Sequence, residues 1–376
     1  MEATLKYLLV NLLASVFFLL AINRCFAVRG SVSYVALANY YLPLLNAFTP
    51  EDAKAILYYP EIYPSALRSL VTGVGLVQTG WWLGLMSLLI AFSLKLGVAP
   101  FHLWVPAVYA GGAVPAVGLL ATASKIRYVA ALSVLMGYVF YPVLACYQWF
   151  FVFCALSSVI LGNFGLLGQT QLLRILGISS IASSGYLYLI LAFAPSIYMY
   201  PLAVTYMILS AFLNCNWFLI LNTTFVARRS RYPQGLRYIS DLASLRYSSG
   251  HWGWALALAL NVCSLAGIPP LLGFWSKFLT YTTVILSTHG ETLGLIYLAV
   301  LMVSTLVGAA TYLRILAAIL FEEPSQIYSY LPPHCGLGVW NLVLLVINVF
   351  FAFGGWDRYL SWLTPYYISE VGFMWF

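Results

Sequence analysis

Ten stretches of this chain are continuously apolar, near residues 5–23, 31–49, 76–98, 114–137, 142–166, 172–194, 198–224, 253–285, 292–320 and 337–356. Each is close to the roughly 20 residues that a helix needs to cross the hydrocarbon core of a bilayer. Inside lipid every backbone N–H and C=O must be paired within the protein, and runs of this length achieve that as helices. The expected fold is therefore all-α, a polytopic membrane protein of about ten transmembrane helices. Composition agrees: 63% of the residues are hydrophobic and 7% charged, against about 25% charged in soluble domains. Pro43 interrupts the second run, and residues 50–75 read as a partly amphipathic surface insertion.

Several function classes are excluded at this level. The six cysteines (Cys25, Cys146, Cys154, Cys215, Cys263, Cys335) show no CxxC or Cys/His spacing and read as small apolar fillers. There is no Walker A, dinucleotide-binding, HExxH, GxSxG or CxxCH motif, so any redox chemistry must be elsewhere. The net charge of +7 reflects topology, because Arg228, Arg229, Arg231, Arg237 and Arg246 cluster in one connection, and no nucleic-acid partner follows from it. The start lacks signal- and transit-peptide character, so either the first helix is retained or the chain is made in the organelle that uses it. Alternating the spans puts that arginine-rich connection with Arg24, Arg29 and Arg174 on the matrix or cytoplasmic face and both termini on the opposite side.

The charges inside the spans are more informative. Of five lysines, Lys95, Lys125 and Lys277 fall within apolar runs, whereas all ten acidic residues lie in loops or at helix ends. A lysine at mid-membrane costs about 2.5–3.5 kcal/mol on insertion scales. Such residues face protein interiors or water and mark ion pathways. Burial disfavours the ammonium form, so a buried lysine can exchange protons. Arg127 and Arg314, in or near spans, stay charged and can bias or pair but not relay.

Two of the lysines accompany interruptions. Lys95 precedes Gly97 and Pro100, followed by a turn with Phe101, His102 and Trp104; Lys277 follows Gly267, Pro269 and Pro270. Broken helices of this kind build ion sites at mid-depth, and their occurrence in both halves suggests a repeated unit. His102 either titrates near neutrality or merely orders its turn. The alternative for the lysines is that they snorkel or bond to carbonyls freed by the breaks. Asn11, Asn163, Asn214, Asn216 and Asn261 read as interhelical glue.

The stretches KLGVAPFHLWVPAVYAGGAVP…SK (95–125), LGNFGLLGQTQLLRILGISSIASSGYLYL (161–189) and SLAGIPPLLGFWSKF (264–278) resemble, in order and spacing, subunit 2 of proton-pumping NADH:quinone oxidoreductase, respiratory complex I. The resemblance covers roughly residues 5–355. It implies antiporter-like inverted repeats with two broken helices. The first repeat, incomplete, would occupy 1–137 with its insertion at 50–75, the second 138–325, and a C-terminal helix and tail 326–376. Lys95, Lys125 and Lys277 would form a proton-translocating unit, supported by His102, Arg127, Arg314, Pro100, Pro269 and Pro270. The chain would be a subunit of NADH:ubiquinone reductase without a redox centre of its own, and FMN, iron–sulfur clusters and ubiquinone are expected in partner subunits. Its neighbours would be membrane lipids and the other membrane-arm subunits.

There are departures from the family pattern. Asn11 stands where the family has a glutamate partnering the first broken-helix lysine, Ser183 replaces a histidine in an SSIAHMGY-like stretch, and Ala107 replaces an aspartate. Family members have about fourteen helices, so about four at the N-terminus are expected to be lost or supplied by a separately encoded fragment. That reduction and the Phe/Tyr-rich composition resemble a divergent mitochondrially encoded chain of the inner membrane, with both termini in the intermembrane space. The competing expectations are a membrane-arm subunit that has lost pumping, and a subunit of a multisubunit cation/proton antiporter or membrane-bound hydrogenase.

Overall fold

The computed structural model describes residues 2–29, 83–140, 144–194, 196–223, 225–227, 234–235, 237–243, 252–269, 271–288, 291–322, 329–330 and 346. The expected spans at 31–49 and 337–356, the insertion at 50–75, Pro270 and most of the arginine-rich connection lie outside them. The helices are α1 (Glu2–Arg29), α2 (Leu83–Leu96), α3 (Trp104–Gly111), α4 (Val114–Ala121), α5 (Ala123–Val134), α6 (Leu144–Leu166), α7 (Leu172–Phe193), α8 (Ser196–Thr223), α9 (Trp252–Ala266), α10 (Leu272–Thr288) and α11 (Thr292–Leu320). Six helical segments among the described residues are long and apolar enough to cross a membrane.

Most boundaries fall where hydropathy puts them. Two runs are divided. The 253–285 run becomes α9 and α10, separated by the Gly/Pro interruption. The 114–137 run, expected as one helix, is α4 and α5 joined at Thr122, whose φ of −111° and ψ of −79° depart from regular helix. The Thr122 hydroxyl donates back to the Gly118 carbonyl at 2.8 Å. Such back-bonding by Ser and Thr bends helices, a local effect that hydropathy does not register. A π-helical turn, Leu135–Val139, ends α5.

The two helix breaks are built alike. Gly97 and Gly267 hold φ of +70° and +86°, values that glycine adopts without the steric penalty of a Cβ. After each glycine the next residue reaches five back, Val98 N to Ser93 O and Ile268 N to Cys263 O. Three residues further on, Phe101 N meets Val98 O and Leu271 N meets Ile268 O. Both are αL helix ends of the kind glycine favours, and each glycine has a proline three residues later, Pro100 and Pro270.

Helix α7 runs through the middle and is buried along almost its whole length, with α3, α6, α8 and α10 packed around it. Two apolar clusters form along it. One gathers Leu187–Leu191 of α7 with Leu89 and Phe92 of α2, Leu132 of α5, Phe151 of α6 and Leu301 of α11. The other gathers Leu172–Ile181 with Val105 and Tyr109 of α3, Trp217 of α8, Val262 of α9 and Ile315 of α11. Leu9, Leu12 and Leu19 on α1, and Leu295 and Leu306 on α11, are exposed, as lipid- or partner-facing positions are.

On the arginine-rich side, β1 (Phe225–Ala227) lies antiparallel between β2 (Gln234–Gly235) and β3 (Ser329–Tyr330), with Phe225 opposite Gly235 and Val226 opposite Tyr330. The Asp241 carboxylate accepts from the backbone N–H groups of Arg237 and Tyr238 at 3.1 and 3.0 Å, closing the turn that leads back to α7 through the Gln171–Tyr238 bridge.

Candidate functional site

Between the two apolar clusters the helices carry polar side chains at matching depth. Lys125 on α5 sits between Ala121 and Val129, Asn163 on α6 between Val159 and Leu166, and Asn214 on α8 between Met207 and Trp217. Ser179, Ser180, Ser183 and Ser184 occupy the same level of α7. Buried polar groups cost free energy unless bonded, so a layer of them across four helices is a constructed feature.

The first break anchors one end of this layer. Lys95, in the last turn of α2, donates to Asn11 Oδ1 of α1 at 2.7 Å and lies 5.6 Å from the centroid of the Tyr128 ring. Leu96 ends α2, so its carbonyl lacks a helical donor; the Ser184 hydroxyl lies 3.1 Å from it. Trp104 Nε1 donates to the Leu94 carbonyl at 3.1 Å. The Ala99 N–H donates to Ser158 Oγ of α6 at 2.8 Å. The break is thus satisfied by side chains from three other helices.

Lys125 is 5% exposed. Its ammonium donates to the Ser180 carbonyl at 2.9 Å and to Ser184 Oγ at 3.0 Å. Ser184 therefore touches both Lys125 and the break next to Lys95. Lys277 on α10 donates to the Leu265 and Ala266 carbonyls at 3.2 and 2.9 Å, capping the end of α9 at the second break. That break is also braced by the Gly273 N–H, which donates to Ser264 Oγ at 3.0 Å.

Lys277 faces a cavity of about 50 Å³ whose walls include Asn163, Ser183, Tyr186, Ser210 and Asn214. A single water needs about 10–15 Å³ of such space together with polar partners, so the cavity can hold a short chain of waters. Two polar groups of its wall, the Asn163 carboxamide and the Tyr186 hydroxyl, lie beside each other, with Tyr281 also next to Tyr186. Gly308 of α11 lets Asn163 lie there, since a Cβ at that glycine would stand 2.5 Å from Asn163 Oδ1.

The other sequence-derived candidates lie apart from this layer. Arg127 is exposed, stacked 4.9 Å from the Tyr128 ring. Arg314 is exposed and donates to the Leu167 and Gln169 carbonyls, holding the end of α6. His102 stands in the turn after the break, its carbonyl accepting from the Val105 N–H at 3.0 Å and its ring beside the Pro100 backbone. Pro269 lies in the second break. Among the described residues the carboxylates Glu2, Asp241, Glu291 and Glu322 are at helix ends or connections, so the layer presents lysines with neutral partners. Asn261 Nδ2 donates to the Leu213 carbonyl at 3.2 Å, tying α9 to α8.

Sequence reasoning singled out the lysines and passed over Ser158, Ser180, Ser184 and Tyr186. The signal for α7 was present in the serine-dense run ISSIASSGY within an otherwise apolar span. Nothing local marks Ser158.

Comparison with known proteins converges on this architecture. Residues 1–306 match the family model described as NADH:quinone oxidoreductase/Mrp antiporter, transmembrane region. NADH-quinone oxidoreductase subunit N 1 of Rhizobium meliloti (strain 1021) is 33% identical over 288 residues, covering 76% of this chain and 55% of the relative. Subunit N of Methylobacterium nodulans is 31% identical over 334 residues, covering 88% and 60%. The chain thus spans little more than half the length of these relatives. Respiratory complex I from Thermus thermophilus contains a chain of the same fold, with a TM-score of 0.68 at 24% identity over 97% of this chain and 68% of that one. The Mrp complex from Dietzia sp. DQ12-45-1b gives 0.71 at 18% identity, covering 98% and 69%. With its twin broken helices and buried lysine layer, the chain belongs to the NADH:quinone oxidoreductase/Mrp antiporter family of membrane proteins.

Proposed function

We propose that this chain is a proton-translocating membrane-arm subunit of NADH:quinone oxidoreductase. Protons would pass between Lys95, Lys125 and Lys277 along the buried polar layer, driven electrostatically by quinone chemistry in other subunits. The observation that carries the reading is the layer itself: Lys125 bonded to serines of α7, Lys95 and Lys277 each beside a helix break, and a polar cavity at Lys277 whose walls include Ser183 of α7. Three unpaired ammonium groups at mid-membrane would cost on the order of 7–10 kcal/mol, which neutral hydrogen-bond partners and water offset and which a scaffold has no use for.

The Asn11 carboxamide takes the part of the family glutamate at Lys95. A neutral acceptor can hold an ammonium without a counter-charge, so Lys95 would answer to the charge on Lys125 rather than to a fixed carboxylate. FMN, iron–sulfur clusters and ubiquinone would belong to partner subunits, and lipids and other membrane-arm chains would surround the exposed faces of α1 and α11. The Phe/Tyr-rich composition supports a mitochondrial inner-membrane setting, the arginine-rich connection would put both termini in the intermembrane space, and a separate chain could supply further helices.

One observation favours a second reading, a membrane-arm scaffold without pumping: Lys277 bonds to two carbonyls of the second break as a structural cap would. The test is proton pumping by the reconstituted complex carrying Lys95→Met, with NADH oxidation followed in the same vesicles. A sharp fall in pumping supports transfer. Unchanged pumping and turnover would leave the scaffold.

A further inference from the structure

We propose that Ser184 is a positioning residue that couples the protonation state of Lys125 to the first helix break, through the Leu96 carbonyl. The inference rests on the proton-transfer reading and deepens it.

The argument is a count of donors. A serine hydroxyl has one proton and two lone pairs, an ammonium has only donors, and an uncharged amine gains an acceptor. Ser184 Oγ has three neighbours in reach: Lys125 Nζ at 3.0 Å, the Ser180 carbonyl at 2.8 Å and the Leu96 carbonyl at 3.1 Å. While Lys125 is an ammonium it donates to Ser184, and the one hydroxyl proton must go to a carbonyl. Once Lys125 has released its proton, its nitrogen competes as an acceptor for that hydroxyl.

The two carbonyls do not suffer equally. Ser180 O also receives Lys125 Nζ at 2.9 Å and the Ser183 hydroxyl at 2.9 Å. Leu96 O, at the C-terminus of α2, has no helical donor, and Ser184 is its donor among the described residues. Turning the Ser184 hydroxyl toward Lys125 therefore leaves Leu96 O bare. An unmade bond of this kind in a buried site is unfavourable, and Leu96 is adjacent to Lys95 and Gly97. Loss of the Lys125 proton would loosen the break that carries Lys95; its return would tighten it. The ionisable side chains on the elements around this bridge include Lys95 on α2, Tyr109 on α3 beside Ser180, Arg127 and Tyr128 on α5, Cys154 on α6, Arg174, Tyr186 and Tyr188 on α7 and Tyr206 on α8, with no carboxylate on the described parts of these helices.

The experiment is hydrogen exchange of the peptide spanning residues 93–104 in the assembled complex, at rest and during NADH turnover, with pumping measured on the same preparations. In the wild type, turnover should speed exchange at the break by about three- to tenfold, the factor that one net hydrogen bond commands. Ser184→Thr should behave alike, whereas Ser184→Ala and Ser184→Val should exchange fast in both states and pump several-fold less. Lys125→Met should exchange slowly in both states, since the hydroxyl then has no competing acceptor. A wild-type break indifferent to turnover overturns the proposal even if no variant assembles. So does a turnover response that survives Lys125→Met, or full pumping by Ser184→Val. Undiminished pumping by Lys125→Met sinks the proton-transfer reading itself, a result distinguishable from failure at Ser184 alone.

Discussion

Lys95 on α2 and Asn11 on α1 are joined by a 2.7 Å hydrogen bond in which the ammonium donates to a neutral carboxamide. Asn11→Leu removes that acceptor and leaves Lys95 with the face of Tyr128. A hydrogen bond to a charged group contributes about 1.5–3 kcal/mol, so the assembled subunit should lose stability by that order and pumping should fall roughly tenfold. Asn11→Glu, which offers a carboxylate at the same place, should retain pumping. Equal pumping by the Leu variant and the wild type would contradict a role for this pair.

Ser158 accepts from the Ala99 N–H inside the first break, at 2.8 Å and fully buried. Ser158→Ala leaves a backbone donor unsatisfied in an apolar setting, expected to destabilise by about 1–3 kcal/mol. Thermal unfolding of the purified complex reads this as a lowered midpoint for release of this subunit. An unchanged midpoint would mean that water or a repacked side chain reaches Ala99.

Gly267 holds a φ of +86°, and a Cβ there would stand 3.0 Å from Lys277 Nζ. Gly267→Ala therefore combines about 1–2 kcal/mol of left-handed strain with displacement of the ammonium from the Ala266 carbonyl. Pumping should drop more than stability explains. A variant that is destabilised but pumps at the wild-type ratio to NADH oxidation would show that the position of Lys277 is immaterial.

Gly308→Ala puts a methyl 2.5 Å from Asn163 Oδ1. Either α11 moves outward or the carboxamide is driven into the 50 Å³ cavity beside Lys277. The expected outcome is a lower proton-to-electron ratio with NADH oxidation retained, because water is displaced from beside Lys277. Restoration of the ratio by the double variant Gly308→Ala with Asn163→Ala, which reopens the space, would tie the effect to cavity filling.

Much of the architecture was legible before any coordinate. The run at 292–320 is α11, residue for residue, and 172–194 is α7 within one residue. Hydropathy works here because a backbone in lipid has few alternatives to the helix. The division at Thr122 was not legible, since it depends on a hydroxyl choosing the Gly118 carbonyl. Arg127 and Arg314 were grouped with the lysines because they lie in or near apolar runs, and both side chains are exposed; membership of an apolar run does not say which side of a helix meets its neighbours.

What the chain determined by itself was the set of helices, the two Gly/Pro breaks and the presence of lysines in apolar runs, because these follow from local transfer energies and backbone stereochemistry. Only the tertiary structure decided what those lysines meet: Asn11 for Lys95, Ser180 and Ser184 for Lys125, the carbonyls of α9 and a polar cavity for Lys277. Partners 84, 55 and 59 residues apart in sequence are brought together by helix packing. A hydroxyl or carboxamide acquires a role there only when an orphaned carbonyl or ammonium is delivered to within bonding distance.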